Sequence, residues 1–274
     1  MKGLKKQLEL LEDLSSFSLG RFFLENKSAD GYWTDYIINY PQTGAITGEN
    51  SDGNSFSFVE KFILEKAPLT LATRERFGIF QKYTQKFLKN DMKIASIPCG
   101  VMRDLLSLNY KNLSFSIVGV DLDLNSIKLA EKLASDYKLS KHIHLLQGNA
   151  WDLPFQEELD LITSSGLNVY VSEEKKLEEL YKAFYLSLKK GGHLVTAVLT
   201  YPPGFSKKSE WALERLSEEN LLMEKVLFQD ILGCKWRNFR TVDEIYKDFH
   251  SVGFTDVEIV FDSFRIFPTV IGRK

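Results

Sequence analysis

The sequence is short of several things, and each shortage closes off a class of answer. It holds two cysteines, Cys99 and Cys234, too few for a disulfide framework, so a reducing compartment is the natural one. Neither charge is in excess: 35 Lys and Arg stand against 37 Asp and Glu, a formal charge of −2. That balance implies no bulk attraction to nucleic acid. No apolar run approaches the roughly 18 residues a membrane span needs. The opening stretch MKGLKKQLELLEDL breaks its leucines with charges, unlike the continuous apolar core of a signal peptide. His142, His144, His193 and His250 lack metal-ligand spacing, with each other or with the cysteines, so no metal site is expected. The expectation is a soluble, cytoplasmic protein without a nucleic-acid or membrane partner. Composition carries no signal of oligomeric state.

What is present suits one large domain, or one domain with a substantial cap: 274 residues, 44% of them hydrophobic. Residues 1–92 read as a helical N-terminal cap without a strand pattern. Leu4, Leu8, Leu11 and Leu14 form one helical stripe. Val59 to Leu64 and Phe77 to Leu88 resume that spacing after a Gly/Asn/Ser/Thr-rich loop, Thr43 to Ser55. Tyr32, Trp33, Tyr36 and Tyr40 make an aromatic cluster. It serves either to pack the cap or to line an acceptor pocket.

From Lys93 the rhythm changes to strand and helix in alternation. Ile94 to Ile97 is an apolar run of buried-strand length, followed by the turn Pro98-Cys99-Gly100 and by Met102, Leu105 and Leu106 at helical spacing. Phe115 to Val120 is a second run, ending on Asp121. This is the plan of a nucleotide-binding βαβ unit, with an acid at the second strand's tip able to accept from both hydroxyls of a ribose. A helix over Ser126–Tyr137, strands over Ile143–Leu146 and Leu159–Thr163, a helix over Ser172–Leu188, a Lys189–Gly192 C-cap turn and a strand over His193–Thr200 continue it. An insertion occupies 201–240, with a helix-like stretch from Ser209 to Leu232. Thr241 caps a helix to Val252, and two strands, Asp256–Phe261 and Phe264–Ile271, close the chain around an Asp262-Ser263 hairpin turn. The fold expected is α/β: a doubly wound, mostly parallel seven-stranded sheet with an antiparallel C-terminal hairpin, plus the helical cap.

Over residues 93–200 and 241–274 the plan resembles a class I S-adenosylmethionine (SAM)-dependent methyltransferase. The positions matching that family's first motif, an acid then Gly-x-Gly-x-Gly, are Ser96 and then Pro98, Gly100 and Met102. One glycine of three is kept. Gly119-Val120-Asp121 resembles the ribose-binding acid, Leu122 the apolar residue beside the adenine, and Gly148-Asn149-Ala150 the family's Gly-Asp-Ala. Leu188-Lys189-Lys190-Gly191-Gly192 is similar to its Leu-Lys-Pro-Gly-Gly turn. The resemblance implies SAM as cofactor, with S-adenosylhomocysteine as product. It places Pro98, Cys99, Gly100, Arg103, Asp121, Leu122, Asn149, Ala150, Trp151, Ser164 and Ser165 around the cofactor. Cys99, Gly100 and Val101 would present backbone N–H groups to it. Met102, having a Cβ, would keep a negative φ or the loop would widen. Arg103 either pairs with the methionine carboxylate or is a solvated surface residue. Trp151 either stacks at the adenine edge or joins the core.

Methyl transfer from a sulfonium is an in-line displacement on an activated donor, so alignment and water exclusion supply most of the catalysis and no fixed triad is required. The acceptor-side candidates are Asn168 and Tyr170, just past the fourth strand, and Tyr36. Asn168 and Tyr170 equally suit a capping Asn and a buried Tyr. Trp33, Tyr36, Tyr201, Phe205, Trp211 and Trp236, amid balanced charge, suggest an apolar or aromatic small-molecule acceptor. Two other readings compete. In an NAD(P)-dependent oxidoreductase, Arg103 would sit where Gly-x-Gly-x-x-Gly needs its last glycine. A catalytically inactive SAM-binding scaffold would account for the eroded first motif.

Overall fold

The computed structural model describes the backbone of residues 2–274 and the side chains from Leu4 onward. Two compact units emerge: one runs up to Glu75 and includes Ala212–Trp236, and the other comprises Arg76–Trp211 and Arg237–Lys274.

The second unit is a seven-stranded sheet. Its strands are β1 (Met92–Ser96), β2 (Phe115–Asp121), β3 (Ile143–Gln147), β4 (Leu159–Ser164), β5 (Leu188–Ala197), β6 (Thr255–Val260) and β7 (Thr269–Arg273), in the order β3-β2-β1-β4-β5-β7-β6. β1 to β5 pair in parallel, and β7 runs antiparallel between β5 and β6. Alternation along each strand separates two cores. Ala95, Val118, Ile162 and Leu194 face one side with Tyr181, Phe184 and Phe249. Ile94, Ile117, Leu161 and Val195 face the other with Leu105, Leu106 and Ala130. Strands covered on both faces read as continuous apolar runs, which is why β1, β2 and β4 are visible in the sequence. The strand order reverses between β1 and β4, so the carboxyl ends of those two strands form the topological switch point.

Helix boundaries follow their caps. Asp123 accepts from the N–H groups of Asn125 (3.1 Å) and Ser126 (3.0 Å) and opens helix Leu124–Asp136. Thr241 and Glu244 form a reciprocal capping box at the start of helix Val242–Val252. Gly253 ends that helix at a φ of +114°, where a Cβ would also press on the Tyr185 ring at 3.1 Å.

Three expectations are corrected. The closing strands are joined by residues 261–268 rather than by a two-residue turn. Asp262 organises that longer loop by accepting from the N–H groups of Phe264, Ile266 and Phe267, a local satisfaction of backbone donors that competes with extending the strands. The Lys189–Gly192 turn lies inside β5, which begins at Leu188. The register to β4 shifts between Leu159 and Leu161 there, and Gly191 N–H donates to the Lys274 carbonyl at 2.8 Å, so the stretch is a bulge pinned by the chain's last residue. The 209–232 stretch is several short pieces: a 3₁₀ turn at Leu213–Arg215, an α-helix at Glu218–Glu224 and a π-helical stretch at Lys225–Ile231.

The first unit is helical, with Lys2–Ser16, Ser18–Asn26, Gly31–Asn39, Gly44–Thr47 and Phe58–Glu65 in succession. Of the leucine stripe only Leu14 is buried; Leu4, Leu8 and Leu11 are exposed. Asp30 caps the third helix by accepting from Trp33 N–H at 2.8 Å, and Trp33 is ringed by Phe22, Tyr32 and Tyr36. In the same unit Glu224, at the end of its short helix, accepts from Leu69 N–H (2.7 Å) at the start of helix Pro68–Phe87. Burial pushes the Glu224 carboxyl up to about 8.

Candidate cofactor site

The turn after β1 is built from two left-handed residues. Gly100 has a φ of +49° and Met102 of +61°, and Met102 N–H closes the turn on the Cys99 carbonyl at 2.7 Å. The expected negative φ at Met102 is therefore overturned. A left-handed L-residue costs about 1–2 kcal/mol, and burying a methionine side chain returns about 1.5–3. Met102 is almost wholly buried, among Cys99, Leu105, Leu106 and Ala130, so packing outweighs the strain. A Cβ on Gly119 would approach the Met102 sulfur to 2.9 Å. The missing side chain on β2 is what makes room for the added one in the turn.

The N–H groups of that turn are committed more than expected. Cys99 N–H donates to the Val120 carbonyl (2.9 Å) and Gly100 N–H to Asp121 Oδ2 (2.9 Å), so neither is left to face a ligand as first envisaged. Pro98 has no N–H, and the Ile97–Pro98 peptide is cis. Cys99 is buried; burial, then Asp121 and Asp104, push its thiol up. It is no thiolate nucleophile.

Asp121 closes the tip of β2. One carboxylate oxygen takes Gly100 N–H and the other Asp123 N–H (3.0 Å). Its own carbonyl takes Gly148 N–H at 2.9 Å, tying the tip of β2 to the loop after β3. Burial raises its pKa, against the N–H groups that lower it. Leu122 beside it is 63% exposed, an apolar side chain held in water at the strand's end, with its carbonyl fixed by Gln147 Nε2 (3.2 Å). Asn149 Oδ1 accepts from Trp151 N–H (3.1 Å), and Ala150 is buried. Trp151 donates its indole N–H to the Lys176 carbonyl (2.8 Å) and packs against the core. Arg103 Nη1 donates to the Tyr137 hydroxyl at 3.1 Å.

Past β4, Ser164 is buried, with its carbonyl accepting from Thr196 Oγ1 at 2.7 Å, and Ser165 is exposed. Asn168 is buried: its Nδ2 donates to the Tyr181 hydroxyl (2.9 Å), its carbonyl accepts from Asn238 Nδ2 (2.9 Å), and its Oδ1 makes no hydrogen bond. Tyr170 is half-exposed at the end of this loop. Tyr36 belongs to the helical unit, where burial and then Glu60 push its hydroxyl up. The structure thus gathers Cys99, Gly100, Asp121 and Leu122 at one edge with Asn149 and Ala150, and Ser164 at the adjoining strand end.

Sequence reasoning missed Asp104. In helix Arg103–Leu106, its carboxylate accepts from Ser96 Oγ (3.0 and 3.2 Å to its two oxygens) and from Thr163 Oγ1 (2.6 Å). The available signal was a serine at the position of an expected acid, with an acid eight residues on. Among the described residues, no group of three or more His, Cys, Asp or Glu could hold a metal, and no helix is long and apolar enough to cross a membrane.

Comparison with known proteins bears on this edge. A family model described as a methyltransferase domain matches residues 94–192. A solved structure from Bordetella parapertussis, described as a possible exported protein, is 34% identical, with a TM-score of 0.90 over 98% of this chain and 87% of that one. A SAM-dependent methyltransferase from Methanosarcina mazei shares the fold at 18% identity (TM-score 0.52; 70% of this chain, 96% of that one). So does the geranyl diphosphate C-methyltransferase of Streptomyces coelicolor, solved with Mg2+, geranyl diphosphate and S-adenosylhomocysteine, at 15% identity (TM-score 0.51; 74% and 80%). An uncharacterized Haemophilus influenzae protein is 29% identical over 107 residues, which span 39% of this chain and 42% of that relative.

Proposed function

We propose that the chain is a class I SAM-dependent methyltransferase, on the footing of the methyltransferase domain matched by residues 94–192, and that it transfers a methyl group from SAM to a small-molecule acceptor by in-line displacement. The observation carrying this reading is the tip of β2. Asp121 is held there by two backbone N–H groups, beside the exposed Leu122 and inside the stretch that matches the methyltransferase domain.

The residues present suit the cofactor. Asp121 keeps carboxylate lone pairs for ribose hydroxyls, since two N–H donors leave acceptor capacity on both oxygens. Leu122 offers apolar surface to a purine, and Asn149 and Ala150 border it. Pro98, Cys99 and Gly100 floor the site, and Gly119 gives the turn its space. Arg103, Trp151, Ser164 and Ser165 complete the proposed set. Bound SAM supplies a methyl group already activated on a positive sulfur. The protein's share is to orient and dehydrate, an effect worth several kcal/mol and up to ~7–11 in ideal cases. Asn168, Tyr170 and Tyr36 are the proposed acceptor-side groups. The helical cap (1–92) and the 201–240 insertion are assigned to acceptor recognition. The small-molecule substrate of the geranyl diphosphate enzyme supports that class of acceptor. The two free cysteines support a cytoplasmic location, which fractionation of the source cells would check against the exported description of the Bordetella relative.

Calorimetric titration with SAM, S-adenosylhomocysteine and NAD tests the proposal. Micromolar binding of the first two, lost in Asp121→Ala, is expected. Binding of NAD alone would replace the reading by an oxidoreductase. Binding of none would leave a ligand-free scaffold.

A further inference from the structure

Asp104 sits where the sheet changes direction. β1 ends at Ser96 and pairs there with Thr163 of β4, and these two side chains are the ones that donate to the Asp104 carboxylate. The carboxylate therefore bridges the two strands whose carboxyl ends form the switch point, the place where open α/β sheets take their ligands. The residue is only 7% exposed. Its side-chain partners are neutral hydroxyls, and no Lys, Arg or His among the described residues forms an ion pair with it. A buried carboxylate without a cation is costly by itself. Burial pushes this one up, while Thr163 and Ser96 pull it back.

At the other end of the edge, Asp121 and Asp123 stand at the β2 tip and are engaged by backbone N–H groups, as the Leu105 and Asp104 N–H groups engage Asp104. SAM is asymmetric: its ribose presents neutral hydroxyl donors, whereas its amino-acid end carries an ammonium. From Asp121, the turn that donates Gly100 N–H to it leads back along the chain to Ser96 at the β1–β4 junction.

We infer that Asp104 is the countercharge for the α-ammonium of the cofactor, supplied from the helix after the turn because Ser96 occupies the strand position. Ser96 and Thr163 hold the carboxylate in place, making them positioning residues. The inference rests on the SAM reading above and is separable from it. S-adenosylhomocysteine and 5′-methylthioadenosine share adenine, ribose and thioether sulfur, but only the first carries the amino-acid end. Titration of the full chain with each ligand is the test. In Asp104→Asn, affinity for S-adenosylhomocysteine should fall by about 10- to 150-fold, the range for a lost hydrogen bond to a charged group. Affinity for methylthioadenosine should stay within about twofold. The exchange Ser96→Asp with Asp104→Ser, which moves the acid onto the strand, should restore most of the preference. Equal weakening of both ligands would make Asp104 a scaffold residue and overturn the inference, as would no weakening of either. Failure of the wild-type chain to bind either ligand would instead overturn the SAM reading and the inference with it. Should the Asn variant not fold, Asp104→Ser, small enough to fit between the two hydroxyls, is read in the same way.

Discussion

At the tip of β2, Gly119, Asp121 and Leu122 stand in the order the methyltransferase pattern asks for, whereas at the end of β1, Ser96, Pro98 and Met102 each replace what it asks for. The two ends nevertheless meet in two hydrogen bonds, Cys99 N–H to the Val120 carbonyl and Gly100 N–H to Asp121. The contrast shows which demands are chemical and which are geometric. A ribose hydroxyl needs an acceptor at one position, and a single aspartate can meet that need. A turn of given shape can be reached by several sequences, provided the lost conformational freedom is offset elsewhere, and here a buried methionine offsets it.

Breaking the comparison begins with a baseline outside both ends. Glu224 is a buried carboxyl raised to about 8 in the helical unit. Its folded pKa lies above the unfolded one, so its contribution to stability is full below about 4.5 and is lost as pH rises to about 8. The loss is about 1.4 kcal/mol per pH unit in that window. Urea unfolding across pH should show this slope, and Glu224→Gln should flatten it. Added S-adenosylhomocysteine should raise stability by mass action and leave the slope unchanged.

Next comes the tip of β2. Asp121→Ala removes the ribose acceptor and leaves Gly100 and Asp123 N–H groups without their partner, so affinity for SAM should drop by at least about 100-fold in calorimetry. A loss under tenfold would mean that the β2 tip is not the anchor.

Met102→Gly then probes the rebuilt end. Relief of the left-handed backbone gains about 1–2 kcal/mol, while removal of the buried side chain costs about 2–5, so the variant should lose about 0–4 kcal/mol net. A stabilised variant would mean that the turn, not the packing, sets the cost. Gly119→Ala is the smallest effect. Its Cβ would meet Leu145 Cδ2 at 2.6 Å and the Met102 sulfur at 2.9 Å. Both are movable side-chain ends, so a loss of about 1–3 kcal/mol is expected in the same unfolding assay. The pair Gly119→Ala with Met102→Gly should lose less than the sum, because the second change opens the space that the first one fills.

Much of the α/β unit was legible from the chain. Runs such as Ile94 to Ile97 and Phe115 to Val120 are apolar because both sheet faces are covered, and Asp121 announces itself by ending one of them. The bulge at Lys189–Gly192 and the loop around Asp262 were less legible. Both are decided by distant partners, the Lys274 carbonyl in the first case and the backbone donors gathered by one carboxylate in the second. Nor could the sequence show that the Trp151 indole donates to the Lys176 carbonyl, or that Asn168 donates to the Tyr181 hydroxyl and accepts from Asn238.

By itself the sequence determined the alternation of strands and helices, the acid at the second strand's tip and the lone glycine of the turn, because hydrophobic period and backbone permissiveness are local properties. Only the tertiary structure decided that Met102 takes the left-handed conformation and that Asp104 joins Ser96 and Thr163 across β1 and β4. Those depend on which atoms come together when the sheet closes: the absent Cβ of Gly119 on one side, and on the other the pairing of Ser96 with Thr163 in strands distant in the chain. A charge that has moved from strand to helix leaves its position in the pattern empty, and it is found only where the side chains meet.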